Sequence, residues 1–422
     1  MKPIRLVVLG GSGIATPELV RALVERRAVG EPRESGIALD IVLVGRNEAK
    51  LGIVAGASAL EASRGRAIRV HHTTDIEGAI EGADLVLNQV RVGGMGARAF
   101  DETYPRDLGL PGEEIVGAGG FANASRTIPV VLEYARLIER ICPNALMLSF
   151  SNPASMVQYA INRYTKVKVI GLCDAPISLR HEIADAVGLP ERSIRMDYVG
   201  MHHFGWVTDV WHQGKSLLNK LLADPSGAAP HVSPELVRSI GALPGHYFNY
   251  HLHPDRMLAQ QAGKPSRGSQ LEVLQDEILE DMAQALERHE RSSLLAQRHA
   301  AWYAAIIAPV IAALIDVEQE PGRYILNMRN GNTLPWLPEE AIIEVPALID
   351  AGRITPLAIG PVPLAVRTLI QSNCTYEMLA VEAIVAHDEH AAAQALLFNA
   401  MIASYDQARA IVDRAWSKGV AL

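Results

Sequence analysis

The chain opens on "IRLVVLG" (residues 4–10), apolar at every position except Arg5 and rich in β-branched residues. Such a run reads as a strand buried on both faces. It stops abruptly at "GGSGIATPELVRALVER", where Thr16 as an N-cap and Pro17 in the first turn predict a helix. The alternation then repeats. "IALDIVLVG" (37–45), "ADLVLNQV" (83–90), "ALMLSFSNPA" (145–154) and "KVIGLCDAP" (168–176) read as strands, and "TIPVVLEYARLIERICP" (127–143) reads as a helix. Strands alternating with helices predict a parallel, doubly wound sheet.

The pattern changes beyond this point. "DYVGMHHFGWVTDVWHQGK" (197–215) alternates like an aromatic-rich strand and contains His202-His203. Neighbours on a strand face opposite sides, so at most one of the two histidines should point at the rim that carries Cys173. "LPGHYFNYHLHPDRML" (243–258) is turn-rich. From about residue 270 apolar positions recur at three- and four-residue spacing, and Pro309 inside "RHAAWYAAIIAPVIAALIDV" predicts a kink. "AIIEVPALID" and "RITPLAIGPVP" are short strands, and the C-terminal text is helical. The expected fold class is α/β: a Rossmann-like doubly wound domain over residues 1–175, then a mixed α+β, helix-rich domain over 176–422 that covers the open rim.

Composition narrows the functional classes. The 422 residues are 49% hydrophobic and 20% charged, enough apolar material for a large core. A net charge of −8 argues against a nucleic-acid binder. No apolar run is long enough for a membrane span, and no signal peptide is read at the N-terminus. Cys142, Cys173 and Cys374 are far apart, without a disulfide framework or paired-cysteine metal motif, which fits a reducing, cytoplasmic setting.

The candidate chemistry gathers at strand ends. The turn Gly10-Gly11-Ser12-Gly13, between a strand and a helix, suits a pyrophosphate held by backbone N–H groups and a helix N-terminus. The second strand ends in Gly45-Arg46-Asn47, where an acid would usually hold the ribose hydroxyls of NAD. Arg46 either faces the 2′-phosphate of NADP or flanks the adenine. Ligands of open parallel sheets lie beyond the carboxyl ends of the strands, so Arg91, Asn152, Cys173 and Asp174 should share one rim. A thiolate plus an imidazole suits zinc or another transition metal. Two protein ligands are too few for a structural zinc site but fit an open site completed by substrate oxygens. A tyrosine in the 243–258 segment is a candidate general base.

Several blocks occur in an order that resembles glycoside hydrolase family 4. They are "GGSGIATPELVRAL", "RVGGMGARAFDETYPRDLGLPGEE", "GAGGFANASRTIPVVLEYARLIERICPNALMLSFSNPASMV", "VIGLCDAPISLR", "YVGMHHFGW", "LPGHYFNYH" and "NMRNGNTLPWLPEEAIIEVPALID". This family departs from the usual two-carboxylate hydrolysis of glycosides. The resemblance implies a lactate/malate dehydrogenase-like architecture and transient oxidation of the sugar at C3 by NAD. Deprotonation at C2, elimination of the aglycone, addition of water and re-reduction follow. A divalent metal, usually Mn²⁺, holds the sugar oxygens. It implies Cys173 and His203 as metal ligands, with His202 standing where an asparagine is usual. Tyr247, or Tyr250 in a shifted register, becomes the base, and Asp174 assists departure of the leaving group. Asn152 and Glu114 contact the sugar, and Arg91 with Arg267 grips a phosphate.

The implied substrate is a 6-phospho-glycoside, β-linked in preference to α-linked, handled by a homodimer or homotetramer with no nucleic-acid or membrane partner. NADP and another divalent metal are the cofactor alternatives. The chain departs from the family pattern at GGSG, at the missing acid replaced by Arg46, at "GAGG" and at His202. A lactate/malate-type 2-hydroxy-acid dehydrogenase and a nucleotide sensor without turnover are the competing readings.

Overall fold

Each apolar run identified in the first half becomes a strand of one sheet. The fold is seen in a computed structural model, which describes residues 3–28, 38–65, 67–316 and 320–417. The strands are β1 (Ile4–Leu9), β2 (Leu39–Val44), β3 (Ile68–Thr73), β4 (Leu85–Asn88), β5 (Leu146–Ser149), β6 (Lys168–Gly171), β7 (Ile194–Met201), β8 (Phe204–His212), β9 (Lys215–Ser216), β10 (Leu243–Pro244), β11 (Gly322–Arg329), β12 (Ile342–Asp350) and β13 (Arg353–Pro356). The first six pair in parallel in the order β3-β2-β1-β4-β5-β6. This is the Rossmann order, with its reversal between β1 and β4, where a crevice opens.

Burial explains why β1 is continuously apolar. Val7 and Leu9 pack into a core with Phe121 and Ile128, whereas Leu6 and Val8 pack into a separate one with Leu19, Ile307 and Ile311. All nine are at most 1% exposed, and each such side chain contributes about 1.5–3 kcal/mol of burial. β3 escapes the apolar pattern because it is an edge strand, with three of its six residues exposed and only Ile68 buried. The residues Ile37 and Val317, at the ends of two predicted elements, lie outside the described residues.

The helix expected over 127–143 spans Gly117–Ile141. Its early part, "GAGGFANAS", lacks apolar spacing because small residues there pack against backbone. A side chain at Gly119 would collide with the carbonyls of Glu113 and Asp101. Near Pro309 the chain runs through a π-helical turn, Tyr303–Ile307, into the helix Ala308–Ile315. The proline sits in that helix's first turn, where no N–H is required.

The sheet continues past β6 with antiparallel strands. β11 pairs with β6 through Asn327 and Gly171, and the path runs on through β12, β7, β8 and β10. Gly171 has no room for a side chain, since a Cβ would lie 2.6 Å from Gln158 Oε1 and 2.8 Å from Asn327 Cβ. Gln158 donates to the carbonyls of Asn327 and Val169, tying both sides of this junction. A third core gathers around Trp206 and Phe248, whose rings lie 4.2 Å apart. Among the described residues, no helix is long and apolar enough to cross a membrane.

The histidine pair corrects one expectation. His202 and His203 do not lie within a strand; they form the turn between β7 and β8, and His203 takes φ 58°. The strand rule of opposite faces therefore does not apply. Their rings stack at 4.0 Å on the same side.

Candidate active site

The residues that follow β1, β2, β4, β5 and β6 open into one cleft of about 1090 Å³. At one end lies the glycine turn. Gly10 takes φ +81°, and a Cβ there would sit 2.9 Å from the carbonyl of Gln89. Gln89 organises this turn. Its Nε2 donates to Gly10 O at 3.3 Å and Thr16 Oγ1 at 3.1 Å, while its Oε1 accepts from Tyr303 at 2.8 Å. Thr16 is the first residue of the helix Thr16–Ala28, and its hydroxyl is engaged by Gln89. Gly10, Ser12, Gly13 and Arg46 line the cleft.

Gly11 faces away, which corrects its expected place against a pyrophosphate. Its N–H donates to Val44 O at 2.8 Å, and an added Cβ would lie 2.7 Å from that of Leu43. It is a packing glycine that lets the turn lie on β2. Gly11→Ala is expected to lower stability by about 1–3 kcal/mol, read as a reduced urea midpoint.

The centre of the cleft holds the metal candidates. Leu172 and Cys173 continue β6, and Asp174 precedes the helix Ala175–Val187, whose first turn holds Pro176. Cys173 is 1% exposed. Its sulfur and nitrogens of His202 and His203 all lie within 4.8 Å of one another. His202 Nε2 meets Asn152 Oδ1 at 2.8 Å, and the buried Nδ1 atoms of both histidines have no hydrogen-bond partner among the described residues. Burial, reinforced by His202 and His246, holds His203 well below the ordinary imidazole range. It therefore offers the neutral ring that ligates metals. Burial also pushes the Cys173 thiol up, helped by Glu344 and Asp174, so a nearby cation is what would favour its thiolate. These three buried donors fit a divalent metal, and the glycine turn fits a dinucleotide.

Asp174 is raised above the usual carboxyl range by burial, partly offset by a backbone N–H and His202. It keeps its proton to higher pH than a surface aspartate. Tyr247 stacks on His203 at 3.9 Å, at 14° between planes. Burial, then Glu113, Cys173, Asp174 and Glu114, pushes its hydroxyl well above the ordinary phenol range. Tyr250 is bonded to Glu113, whose carboxyl is raised to about 7 by burial and by Glu114.

A corner of arginines completes the wall. Arg91 pairs with Glu114, donating through Nη2 at 3.3 Å as well as Nη1, and Arg98 pairs with Glu114 at 3.0 Å and Glu102 at 2.7 Å. Burial opposes ionisation of Glu114, but Arg91 and Arg98 outweigh it and hold the carboxyl below its ordinary value. Arg298 forms no ion pair among the described residues and lies over Trp302 at 4.9 Å from the ring centre. Burial, then Arg98, Arg91 and Arg267, lowers it to about 10. Arg267 is exposed at the cleft wall, where it donates to Gln270 at 3.3 Å.

Thus Gly10, Ser12, Gly13, Arg46, Arg91, Glu114, Asn152, Cys173, Asp174, His203, Tyr247 and Arg267 meet in one cleft, and Gly11 stands outside it. Glu114 is 2% exposed and its carboxylate is occupied by two guanidinium groups, so it positions arginines. Sequence reasoning missed Arg98, Arg298, Gln89 and Glu344. Glu344 was the most discoverable, being an acid inside the otherwise apolar strand "AIIEVPALID". It accepts from Tyr198 at 2.6 Å and Asn327 at 2.9 Å.

Residues 6–189 match the model of "Family 4 glycosyl hydrolase", and residues 198–402 match its C-terminal domain. The chain is 30% identical over 431 residues to a probable 6-phospho-β-glucosidase of Bacillus subtilis (strain 168), covering 98% of this chain and 95% of the relative. The 6-phospho-β-glucosidase of Thermotoga maritima, solved with manganese, NAD⁺ and glucose-6-phosphate, superposes with a TM-score of 0.86 at 25% identity, covering 98% of each chain. Malate dehydrogenase of Cryptosporidium parvum shares the fold alone, at a TM-score of 0.56 and 14% identity over 92% of this chain and 100% of that one. With both halves matched and nearly the whole length aligned, this chain belongs to family 4 of the glycosyl hydrolases.

Proposed function

We propose that this chain is an NAD- and divalent-metal-dependent glycosidase that hydrolyses 6-phospho-β-glucosides. The observation that carries the reading is a single cleft joining a glycine turn, a thiol–imidazole cluster and an arginine corner. The relatives that carry the β-glucosidase name favour the β linkage.

When bound, the dinucleotide accepts and returns a hydride, and the divalent ion polarises the sugar oxygens. Gly10, Ser12, Gly13 and the helix N-terminus behind them would hold the pyrophosphate. Arg46 would face the adenosine. Cys173 and His203 would hold the ion. Asn152 fixes the edge of the sugar pocket through its bond to His202. Tyr247, in its ionised form, would accept the C2 proton, and Asp174, its carboxyl raised by burial, would donate to the departing oxygen. Trp302 and Tyr303 line the same cleft.

The sugar phosphate belongs in the arginine corner. Arg91 and Arg98 are already matched by the two carboxylates of Glu114 and Glu102, so the unmatched charge is that of Arg298, with Arg267 beside it. A phosphate relieves the mutual repulsion of these groups and finds a planar fork to bind. Arg298→Gln is expected to raise KM for a phosphorylated substrate about 10–100-fold, the loss of one charged hydrogen bond, with little change for the unphosphorylated analogue. Steady-state kinetics on both substrates checks this.

The decisive assay uses nitrophenyl 6-phospho-glucosides of both anomers, with and without NAD⁺, Mn²⁺ and reductant. Nitrophenol release from the β anomer, requiring both cofactors, is expected. Turnover unchanged by removing both rejects the reading. NADH accumulating on hydroxy acids would favour a dehydrogenase, and dinucleotide binding without turnover would favour a sensor. Three buried free cysteines agree with a reducing, cytoplasmic setting, and we extend the proposal to a homodimer or homotetramer on family resemblance.

A further inference from the structure

We propose that His202 is a third protein ligand, making the metal site a Cys-His-His centre that favours softer ions than manganese. The inference rests on the reading of Cys173 and His203 as a metal site and deepens it.

Three observations carry it. His202 is 5% exposed and stands with Cys173 and His203 in one cluster of donors within 4.8 Å. Its Nε2 contact with Asn152 Oδ1, at 2.8 Å, requires Nε2 to carry the proton, because a carbonyl oxygen only accepts. Nδ1 is then left with a lone pair, and this buried atom has no hydrogen-bond partner among the described residues. The nearest acid to it, Glu344 Oε1, is 3.7 Å away and already accepts from Asn327.

An acceptor buried without a partner is destabilising, and a bound cation removes that cost. A histidine whose far nitrogen donates to an amide or carboxylate oxygen is also the usual oriented form of a metal ligand. The turn contributes as well. His203 adopts φ 58°, which a side chain rarely does, and that conformation stacks both rings on one side instead of dividing them.

Two imidazoles and a thiolate form a softer set than one imidazole and a thiolate completed by oxygens. Such a set suits Zn²⁺ and Co²⁺, whereas Mn²⁺ prefers carboxylate, carbonyl and water. The centre would still keep a position open for sugar oxygens.

The test is direct titration of the metal-free full chain with Co²⁺, Zn²⁺ and Mn²⁺, followed by calorimetry and by the cobalt absorption spectrum. Wild type, His202→Asn, His203→Asn and Cys173→Ser are compared, and X-ray absorption counts imidazole and sulfur neighbours in cobalt-loaded wild type. The expected result is two imidazoles and one sulfur. His202→Asn should lose at least ~100-fold in Co²⁺ and Zn²⁺ affinity, beyond the ~10–100-fold of an outer-sphere partner, and much less in Mn²⁺ affinity. One imidazole and one sulfur in wild type, with unchanged Co²⁺ and Zn²⁺ affinity in His202→Asn, overturns the proposal while leaving the Cys173–His203 site intact. Wild-type affinity in Cys173→Ser and His203→Asn rejects the metal site itself. The wild-type spectrum decides the matter even if a variant fails to fold.

Discussion

Cys173→Ser is expected to lower kcat/KM on a 6-phospho-β-glucoside by at least ~100-fold, about 2.7 kcal/mol of transition-state stabilisation. The substitution keeps the shape of the residue and its 1%-exposed site, and the serine hydroxyl can donate to Glu344 as the thiol does. What it removes is the thiolate. Burial already opposes ionisation of the thiol, and a hydroxyl in the same place would ionise far less readily. The variant should therefore fold, hold the dinucleotide as wild type does, and lose affinity for the divalent ion. Steady-state kinetics across a Mn²⁺ titration, beside NAD⁺ binding followed by fluorescence, separates these effects. A variant with the wild-type Mn²⁺ dependence and full activity would remove Cys173 from the site and favour the dehydrogenase reading.

The sheet was readable because its central strands are buried on both faces, and continuous apolar text between glycine turns has few other physical interpretations. β1 and β4 are the clearest cases, and they frame the crevice. β3 was not readable for the opposite reason, since an edge strand alternates weakly and carries His71 and His72 on its exposed positions. The candidate site divides in the same way. Residues at the ends of strands, such as Cys173 and Asn152, could be placed because the fold itself brings strand ends together. Arg298 could not, because it reaches the cleft from a short 3₁₀ turn, Leu295–Arg298, with no periodicity to orient it. The histidine pair failed for a local reason. Its two residues read as strand by composition, yet the left-handed conformation of His203 turns the chain there, and no rule of spacing anticipates a side chain at positive φ.

Tyr247→Phe is expected to lower kcat about 10²–10⁴-fold with little change in KM, the signature of a lost general base. Phenylalanine retains the stack on His203, whose ring lies 3.9 Å away, so binding and the local fold should persist. The sign of the pH effect follows from the environment. Burial and the surrounding acids raise the phenol, so its ionised form is scarce at neutral pH and grows as pH rises. Wild-type kcat should thus climb with pH wherever proton removal limits the rate, and that limb should flatten in the variant. Tyr250→Phe is the control. Tyr250 is bonded to Glu113 and Gln261, so its loss should disturb the Glu113 carboxyl, which sits near 7, far more than the chemistry. If Tyr250→Phe abolishes the rising limb while Tyr247→Phe leaves it in place, the base is Tyr250 and Tyr247 serves only to hold the imidazole of His203 in position.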